Sequence, residues 1–496
     1  MTRYRHLITD ANAKWWTLAA MCFALFMLML DNTVVNVALP SIQDDLGSGL
    51  SSLEWVVNGY LLSFGVLLVT GGRLGDIFGR RRAFLVGVTI FAVSSATAGL
   101  ASGTGTLIAS RIVQGVGGAL MMPATLSIVT HAFPPHERGK AIGTWAGVSA
   151  LALAIGPVLG GLLTEHVSWR AIFYLNIPVA IGAVIATLFA VRESRDESVG
   201  REIDFAGVTV FTAGVTALVL ALIEANSWGW GSPAILGLLA GSVLALGAFV
   251  AVERRVAAPM VDLPLFKTRN FVGTNIVALI VTFAMMAQFF FVTLYMQNIL
   301  GFSPVEAGLR FLPATLMIVA IAPVAGRLTD RVGPRWLIGG GLGLVTVSLY
   351  ILTTIGTGTT YGSIWPSFTL MGLGMALVMS PMSAAAMNAV PVTKAGVASG
   401  ILSMNRMVGG TLGIAVIGAV FAAMAPAGVR DPGAFIDAFT ASMWVATGVT
   451  AVGAVLAVAL LRGRAERPAT AEAPEPPAVP SGELATGELA QERAAA

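Results

Sequence analysis

Asp31 is a carboxylate set inside an apolar run, FALFMLMLDNTVVNVALP (Phe23 to Pro40). An ionised side chain at the centre of a bilayer costs roughly 2.5 to 3.5 kcal/mol on insertion scales, so such residues persist where they line a pathway or carry a proton. At about 100° per residue, Asp31, Asn32 and Asn36 fall within roughly 140° of one another on a helix, a polar stripe that must face the interior. Arg111 is the natural opposite charge, and the packing of the chain's two halves, described below, would bring it close. Burial favours a neutral carboxyl and a neighbouring guanidinium favours an ionised one, so a changing separation would switch proton affinity. Asp31 is then the proton carrier and Arg111 its tuner. Sealed from every water-accessible route, Asp31 could not act in this way. The competing reading is a static ion pair that fixes helix register. Arg406, in SGILSMNRMVGG, is the remaining charge in an apolar run, and it reads equally as a substrate contact or a packing partner.

Other chemistry is excluded by pattern. No G-x-x-x-x-G-K-[ST] stretch is present, so ATP hydrolysis is not built in. HERGK is no H-E-x-x-H, and the four histidines (His6, His131, His136, His166) do not cluster as metal ligands. Glycine pairs such as GGGLGL lie in helical runs, not after a strand, which argues against a dinucleotide site. No nucleophile, base and orienter can be grouped, so the chain is not expected to be an enzyme. No cofactor is expected, and the energy source left is the proton-motive force.

The elements that position these residues follow from composition. The chain has 496 residues, is 56% hydrophobic and 11% charged, and its mean hydropathy is +0.82. These values belong to a polytopic membrane protein. Fourteen apolar runs can each cross a bilayer, at about 16–39, 54–72, 83–101, 105–130, 141–164, 171–191, 205–225, 231–252, 271–299, 308–327, 336–356, 361–389, 396–425 and 438–461. They are continuous and do not alternate, so the fold class is all-α. With the N-terminus inside, inner segments hold 24 of the 29 basic residues. Outer segments hold Arg170, Arg310 and Arg430, and Arg111 and Arg406 lie within spans. This asymmetry places both termini in the cytoplasm. Trp15, Trp16, Trp55, Trp169, Trp336 and Trp365 near span ends form an interfacial belt. The net charge of +3 is explained by the inner loops and calls for no nucleic acid, and the single Cys22 excludes an intramolecular disulfide.

GRLGDIFGRRR (Gly72 to Arg82) returns as GRLTDRVGPRW (Gly326 to Trp336), 254 residues on, and QGVGGALMMP returns as MGLGMALVMSP. The chain is therefore two related halves. Eight helices' worth of sequence separate the copies where six are needed, so two are inserted. The expected organisation is an N-terminal segment 1–15, a six-helix bundle 16–191, a linker 192–204, two extra helices 205–252, a linker 253–270, a six-helix bundle 271–461 and a disordered tail 462–496. The tail is rich in Ala, Pro and Glu and lacks aromatics.

Four stretches in order, GRLGDIFGRRR, LDNTVVNVALP, RIVQGVGGALMMP and GVSALALAIGPVLGG, resemble the major facilitator superfamily and, within it, the fourteen-helix drug:proton antiporters. The resemblance spans about residues 15 to 462. It implies a conformational latch at Gly72, Asp76, Gly79 and Arg80, although the arginines of this loop can also serve only to keep it inside. It also implies an antiporter motif at Gly147, Gly156, Pro157, Gly160 and Gly161, where Pro157 disfavours a straight helix and the glycines offer a packing face. The expected substrate cavity comprises Asn32, Asn36, Gln114, Gln288, Phe290, Tyr295, Gln297 and Arg406. Large polarizable groups in MMAQFFFVTLYMQ and at Met371, Met375, Met379 and Met382 suit an adaptable apolar pocket, though such stripes also serve packing.

The implied activity is export of hydrophobic drugs or antibiotics in exchange for protons, with small hydrophobic molecules, protons and the lipid bilayer as partners and a monomer as the unit. FLPATLMIVAIAPVAG carries no carboxylate, which hints at neutral, monocationic or zwitterionic cargo. The alternatives are a dedicated exporter of one endogenous product, such as a lipid, siderophore or self-made antibiotic, and a non-transporting receptor or scaffold. Arg outnumbers Lys 25 to 4, with abundant Ala and Gly, which suggests a GC-rich bacterial genome and hence the cell membrane.

Overall fold

A computed structural model describes residues 12–134, 137–195, 204–256, 259–356, 358–391, 394–425 and 432–462. The expected disordered tail lies outside the described residues save Arg462, and so does most of the 192–204 linker. Among the described residues every regular element is helical. The first half comprises α1 (Ala13–Leu46), α2 (Leu50–Phe78), α3 (Arg80–Gly99), α4 (Thr104–Ala132), α5 (Arg138–His166), α6 (Ala171–Tyr174) and α7 (Asn176–Ala190). A hairpin follows, α8 (Phe205–Trp228) and α9 (Pro233–Glu253). The second half comprises α10 (Arg269–Leu294), which ends in a π-helical turn (Tyr295–Ile299), α11 (Pro304–Arg310), α12 (Leu312–Val332), α13 (Pro334–Leu352), α14 (Tyr361–Asn388), α15 (Ala395–Met424) and α16 (Pro432–Leu460).

Among the described residues thirteen spans are long and apolar enough to cross a membrane, counting α6 with α7 and α11 with α12 as one each. Helix α5, bent by 41° between Lys140–Leu153 and Ile155–His166, makes the fourteenth. The bend has a local cause: Pro157 has no N–H to give the Leu153 carbonyl, and its ring crowds that oxygen. Helix α1 runs past its expected end at residue 39 with Pro40 inside it, at the cost of one backbone bond. It stops at Gly47, whose φ of 60° closes the helix with an N–H on the Gln43 carbonyl. Counted as fourteen crossings, the spans put Ala13 and Leu460 on one face, called proximal, the opposite face being distal.

The internal repeat is structural as well as sequential. Gly79 and Gly333, equivalent in the two copies, both take positive φ, 115° and 87°, at the breaks between α2 and α3 and between α12 and α13. Helix α4 packs on α2 and α3 as α14 packs on α12 and α13. Glycine permits both sets of contacts: a methyl group on Gly71 would lie 2.1 Å from the Ala119 carbonyl oxygen, and one on Gly372 would lie 2.1 Å from that of Ala314. The halves meet where α2 runs along α15, where α5 meets α11 and α12, and where α1 meets α10 and α11. The hairpin lies against the first of these seams, with α8 packed on both α2 and α15 and α9 outside it.

Candidate functional site

Asp31 stands midway along α1, completely buried, and its carboxylate is held by groups from two other helices. Arg111 Nη1 of α4 donates to Oδ2 at 2.5 Å. Gln114 Nε2 of α4 and Asn176 Nδ2 of α7 each donate to Oδ1 at 3.1 Å. Arg111 is itself 1% exposed: Nε donates to the Val56 carbonyl of α2 at 3.1 Å, and Nη1 also donates to Gln114 Oε1 at 2.7 Å. Its guanidinium carbon lies 4.2 Å from the centre of the Tyr60 ring and 5.8 Å from that of Phe173, a cation–π contact in a dry site. Ser95 of α3 completes the knot, accepting from Asn176 at 2.9 Å and donating to the Phe173 carbonyl at 2.9 Å.

The expected pair of Asp31 and Arg111 is therefore formed, with one correction to how it forms. Both residues belong to the first half, and packing of α1 on α4 within that half brings them together, with no contribution from the second. A buried charge is tolerated when it is paired and hydrogen-bonded, and here each carboxylate oxygen has a donor. No surface of Asp31 is exposed, so in this conformation it is closed to water. The water-accessible route that a proton carrier needs is absent from this state. Asn176 and Ser95 were not singled out in the sequence, Asn176 because it opens a span and Ser95 because a lone serine in an apolar helix is common.

The stripe beside Asp31 divides. Asn32 and Asn36 turn back along α1, donating to the Leu28 and Asn32 carbonyls at 2.9 and 3.1 Å, and the Oδ1 of each is buried without a partner. Gln297 reaches the same helix, its Nε2 donating across the two halves to the Val37 carbonyl at 2.8 Å. Gln288 reaches Ser367 Oγ of α14 at 3.5 Å and leaves its Oε1 buried and unpartnered beside a small gap lined by Met285, Phe289, Phe311, Phe368 and Met371. Phe290 is completely buried against Phe291, and Tyr295 packs on Phe435 and Phe439 of α16, within the second half. Arg406 donates to Ser383 Oγ of α14 at 2.7 Å, and its Nε has no partner. The residues expected to line one cavity are thus spread over separate places in this conformation, Gln114 among them lying in the Asp31 knot.

In the last turn of α2, Asp76 accepts from Nε of Arg80, the first residue of α3, at 3.0 Å. Gly79 needs both its positive φ and its missing side chain, since a methyl group there would strike the Glu193 carboxylate. That carboxylate accepts from the Arg81 backbone N–H at 3.0 Å, and the Arg80 N–H bonds the Ser194 carbonyl. Gly72 lies against Pro123 of α4. All these contacts stay within the first half.

Helix α5 behaves differently, because its glycines face two ways. Methyl groups on Gly156 and Gly160 would fall 1.9 Å from Thr33 Oγ1 and 2.7 Å from the Val34 carbonyl oxygen, both on α1 next to Asp31. One on Gly161 would fall 2.4 Å from the Pro304 carbonyl oxygen, and one on Gly308 would fall 2.3 Å from that of Pro157. Glu165 accepts from the Val305 N–H at 2.9 Å. The distal end of α5 is thus joined to α11 by direct backbone approach. Gly147 has open space around it. Among the described residues no group of three or more His, Cys, Asp or Glu could hold a metal ion.

The family model for the Major Facilitator Superfamily matches residues 21–414 and again 275–493. The chain is 40% identical to a tetracenomycin C resistance and export protein of Streptomyces glaucescens, over 82% of this chain and 76% of that one. It is 38% identical to the puromycin resistance protein pur8 of Streptomyces alboniger, over 91% and 92%. It is 37% identical to the multidrug resistance protein Stp of Mycobacterium tuberculosis, over 82% and 76%. Among solved structures, a bacterial homologue of the human lysosomal transporter Spinster, in an inward-facing and occupied conformation, superposes with a TM-score of 0.61 at 16% identity, covering 90% of this chain and 97% of that one.

Proposed function

The chain belongs to the major facilitator superfamily, and on that premise we propose that it exports antibiotics or other hydrophobic drugs across the bacterial cell membrane in exchange for protons, with both termini in the cytoplasm. In that orientation the distal face is the outer one. The joints between α5 and α11 and between Gln297 and Val37 then close the outer side in the state described.

The observation that carries the proposal is the buried knot around Asp31. A lone carboxylate in mid-membrane, held by a guanidinium and two amides, is a costly arrangement that packing alone does not require. Protonating Asp31 removes the charge that balances Arg111 and leaves a buried guanidinium uncompensated, so the tight knot is favoured while Asp31 is ionised and a looser one once it is protonated. Asp31 is closed to water here, and the proposal places its exchange with the outer medium in the conformation where the distal seam parts. Helix α5 links the two events, since Gly156 and Gly160 bear on α1 beside Asp31 and Gly161 bears on the opposite half.

The test is compound-induced collapse of an imposed pH gradient in proteoliposomes, with wild type and Asp31→Asn. Wild type should dissipate the gradient when a transported compound is added, and the variant should bind compound without moving protons. Undiminished coupled transport by the variant would refute the assignment of Asp31.

A second reading, a dedicated exporter of one compound, draws support from relatives named for single antibiotics, tetracenomycin C and puromycin. A growth-inhibition panel in a pump-deficient host separates the two. Broad protection supports the first, and protection against a single compound supports the second.

A further inference from the structure

Glu54 lies one turn into α2 at the distal end and is 2% exposed. Its carboxyl group rests on the backbone of α15: a methyl group built on Gly418 would lie 2.0 Å from Oε1 and 2.8 Å from Oε2. It therefore occupies the seam between the two halves, at the level where that seam must part if the protein alternates between faces.

The charges around Glu54 make its burial costly. From α8, the group that acts on it is a second carboxylate, Glu224, held in place by Trp55 Nε1 at 3.4 Å and Ser227 Oγ at 2.8 Å. From α15, the single charged residue is Arg406, twelve positions toward the proximal end and turned to Ser383. From α4, Arg111 is committed to Asp31, Gln114 and the Val56 carbonyl. Helix α3 carries its charges, Arg80 to Arg82, at the proximal end, and at the distal end of α1 Asp45 is paired with Arg170. No cation among the described residues forms an ion pair with Glu54. An ionised carboxylate taken from water into such a place costs several kcal/mol, whereas a neutral carboxyl does not.

A second observation on the same face of α2 supports a seam that opens. Asn58, one turn further along α2 on the face that carries Glu54, Leu61 and Gly65 toward α15, is completely buried, and both polar atoms of its amide lack partners. A surface made only to stay shut would be apolar there, since an unpaired buried amide is a penalty that water relieves.

We propose that Glu54 is a second proton-binding residue, loaded from the outer medium while α2 and α15 are parted and carried neutral into the seam as it closes. This rests on the alternating transport cycle and orientation proposed above. The proton is taken from external water onto the carboxylate, stays on Glu54 while the outer side is shut, and returns outward at the next opening. It therefore biases the closing step without adding to the protons moved. The inserted hairpin also acquires a role, since α8 covers the seam and brings Glu224, which discourages closure over an ionised Glu54.

The experiment needs no transported compound. Spin labels at the half-buried Ser51 and the exposed Ala423, at the distal ends of α2 and α15, are placed in a full-length Cys22→Ser background, and their distance is measured in nanodiscs as pH falls from ~9 to ~5. For a single linked proton, the closed-to-open ratio should rise by about tenfold per pH unit over part of that range. Glu54→Gln and Glu54→Ala should abolish this response, Glu54→Asp should retain one, and Asp31→Asn should leave it in place. A wild type with no pH response, or a response that survives in both Glu54→Gln and Glu54→Ala, overturns the proposal. A response lost in Asp31→Asn but kept in Glu54→Gln assigns it to Asp31 and likewise overturns it. Failure of Asp31→Asn to uncouple transport, by contrast, bears on the earlier assignment alone.

Discussion

Each oxygen of Asp31 has its own donors, Arg111 on one and Gln114 with Asn176 on the other. The members of this knot therefore differ in what their loss leaves behind. Arg111→Ala strands a buried carboxylate and should cost about 3 to 5 kcal/mol. Asn176→Ala removes one hydrogen bond to a charged group and should cost about 1.5 to 3 kcal/mol. The double variant Asp31→Asn/Arg111→Gln, with no charge left to strand, should recover much of the loss while remaining uncoupled. Thermal unfolding of the purified protein, followed by tryptophan fluorescence, checks the order. Recovery absent from the double variant would mean the pair itself stabilises the fold. Asp31 and Arg111 were legible in the sequence because a charge in an apolar run is conspicuous. Asn176 and Glu54 were not, because polar residues near span ends are ordinarily interfacial, and only the packing of α7 and α2 shows them buried.

At the scale of elements, α5 is the piece that touches both α1 beside Asp31 and the opposite half. Its glycines were legible as a packing face, but their division between α1 and α11 was not, because spacing gives a direction around a helix and not the identity of a neighbour. Two substitutions separate the roles. Pro157→Ala returns a donor to the Leu153 carbonyl and should straighten the 41° bend. Labels at Lys140 and His166 should then move apart by about 2 to 3 Å, given a rise of 1.5 Å per residue, and transport should slow by about tenfold or more as the distal joint loses its fit. Gly161→Val drives a side chain into the Pro304 backbone and should weaken closure of the same joint, read as faster labelling of a cysteine introduced at Val305. Gly147→Ala, in open space, should be neutral to within about 0.5 kcal/mol in stability and leave transport unchanged. Equal damage from all three would mean that the motif acts through helix content and not through contact.

For the whole molecule, the count of fourteen spans, the two related halves and the inserted pair followed from hydropathy and from one repeated loop, because bilayer thickness and the backbone's need for internal hydrogen bonds leave little freedom. Where the hairpin docks did not follow, since α8 and α9 are apolar around most of their length, and Glu224 and Asn226 near the end of α8 do not by themselves name the α2 and α15 seam. The same economy of charge bears on energetics. One carboxylate occupies the central knot, and Glu54, by the inference above, returns its proton to the side it came from. A single proton should therefore enter per cycle. A proton crossing 100 mV supplies about 2.3 kcal/mol, which at about 1.36 kcal/mol per decade supports an approximately 50-fold gradient of a neutral compound. For a neutral cargo, accumulation in inverted vesicles should thus fall toward the level set by the pH difference alone when valinomycin and potassium collapse the membrane potential. For a monocationic cargo the exchange is electroneutral, and the same treatment should leave accumulation unchanged. A limiting gradient for a neutral compound near the square of 50 would require two protons per cycle and a second coupled carboxylate, with Glu54 the first residue to substitute in the search for it.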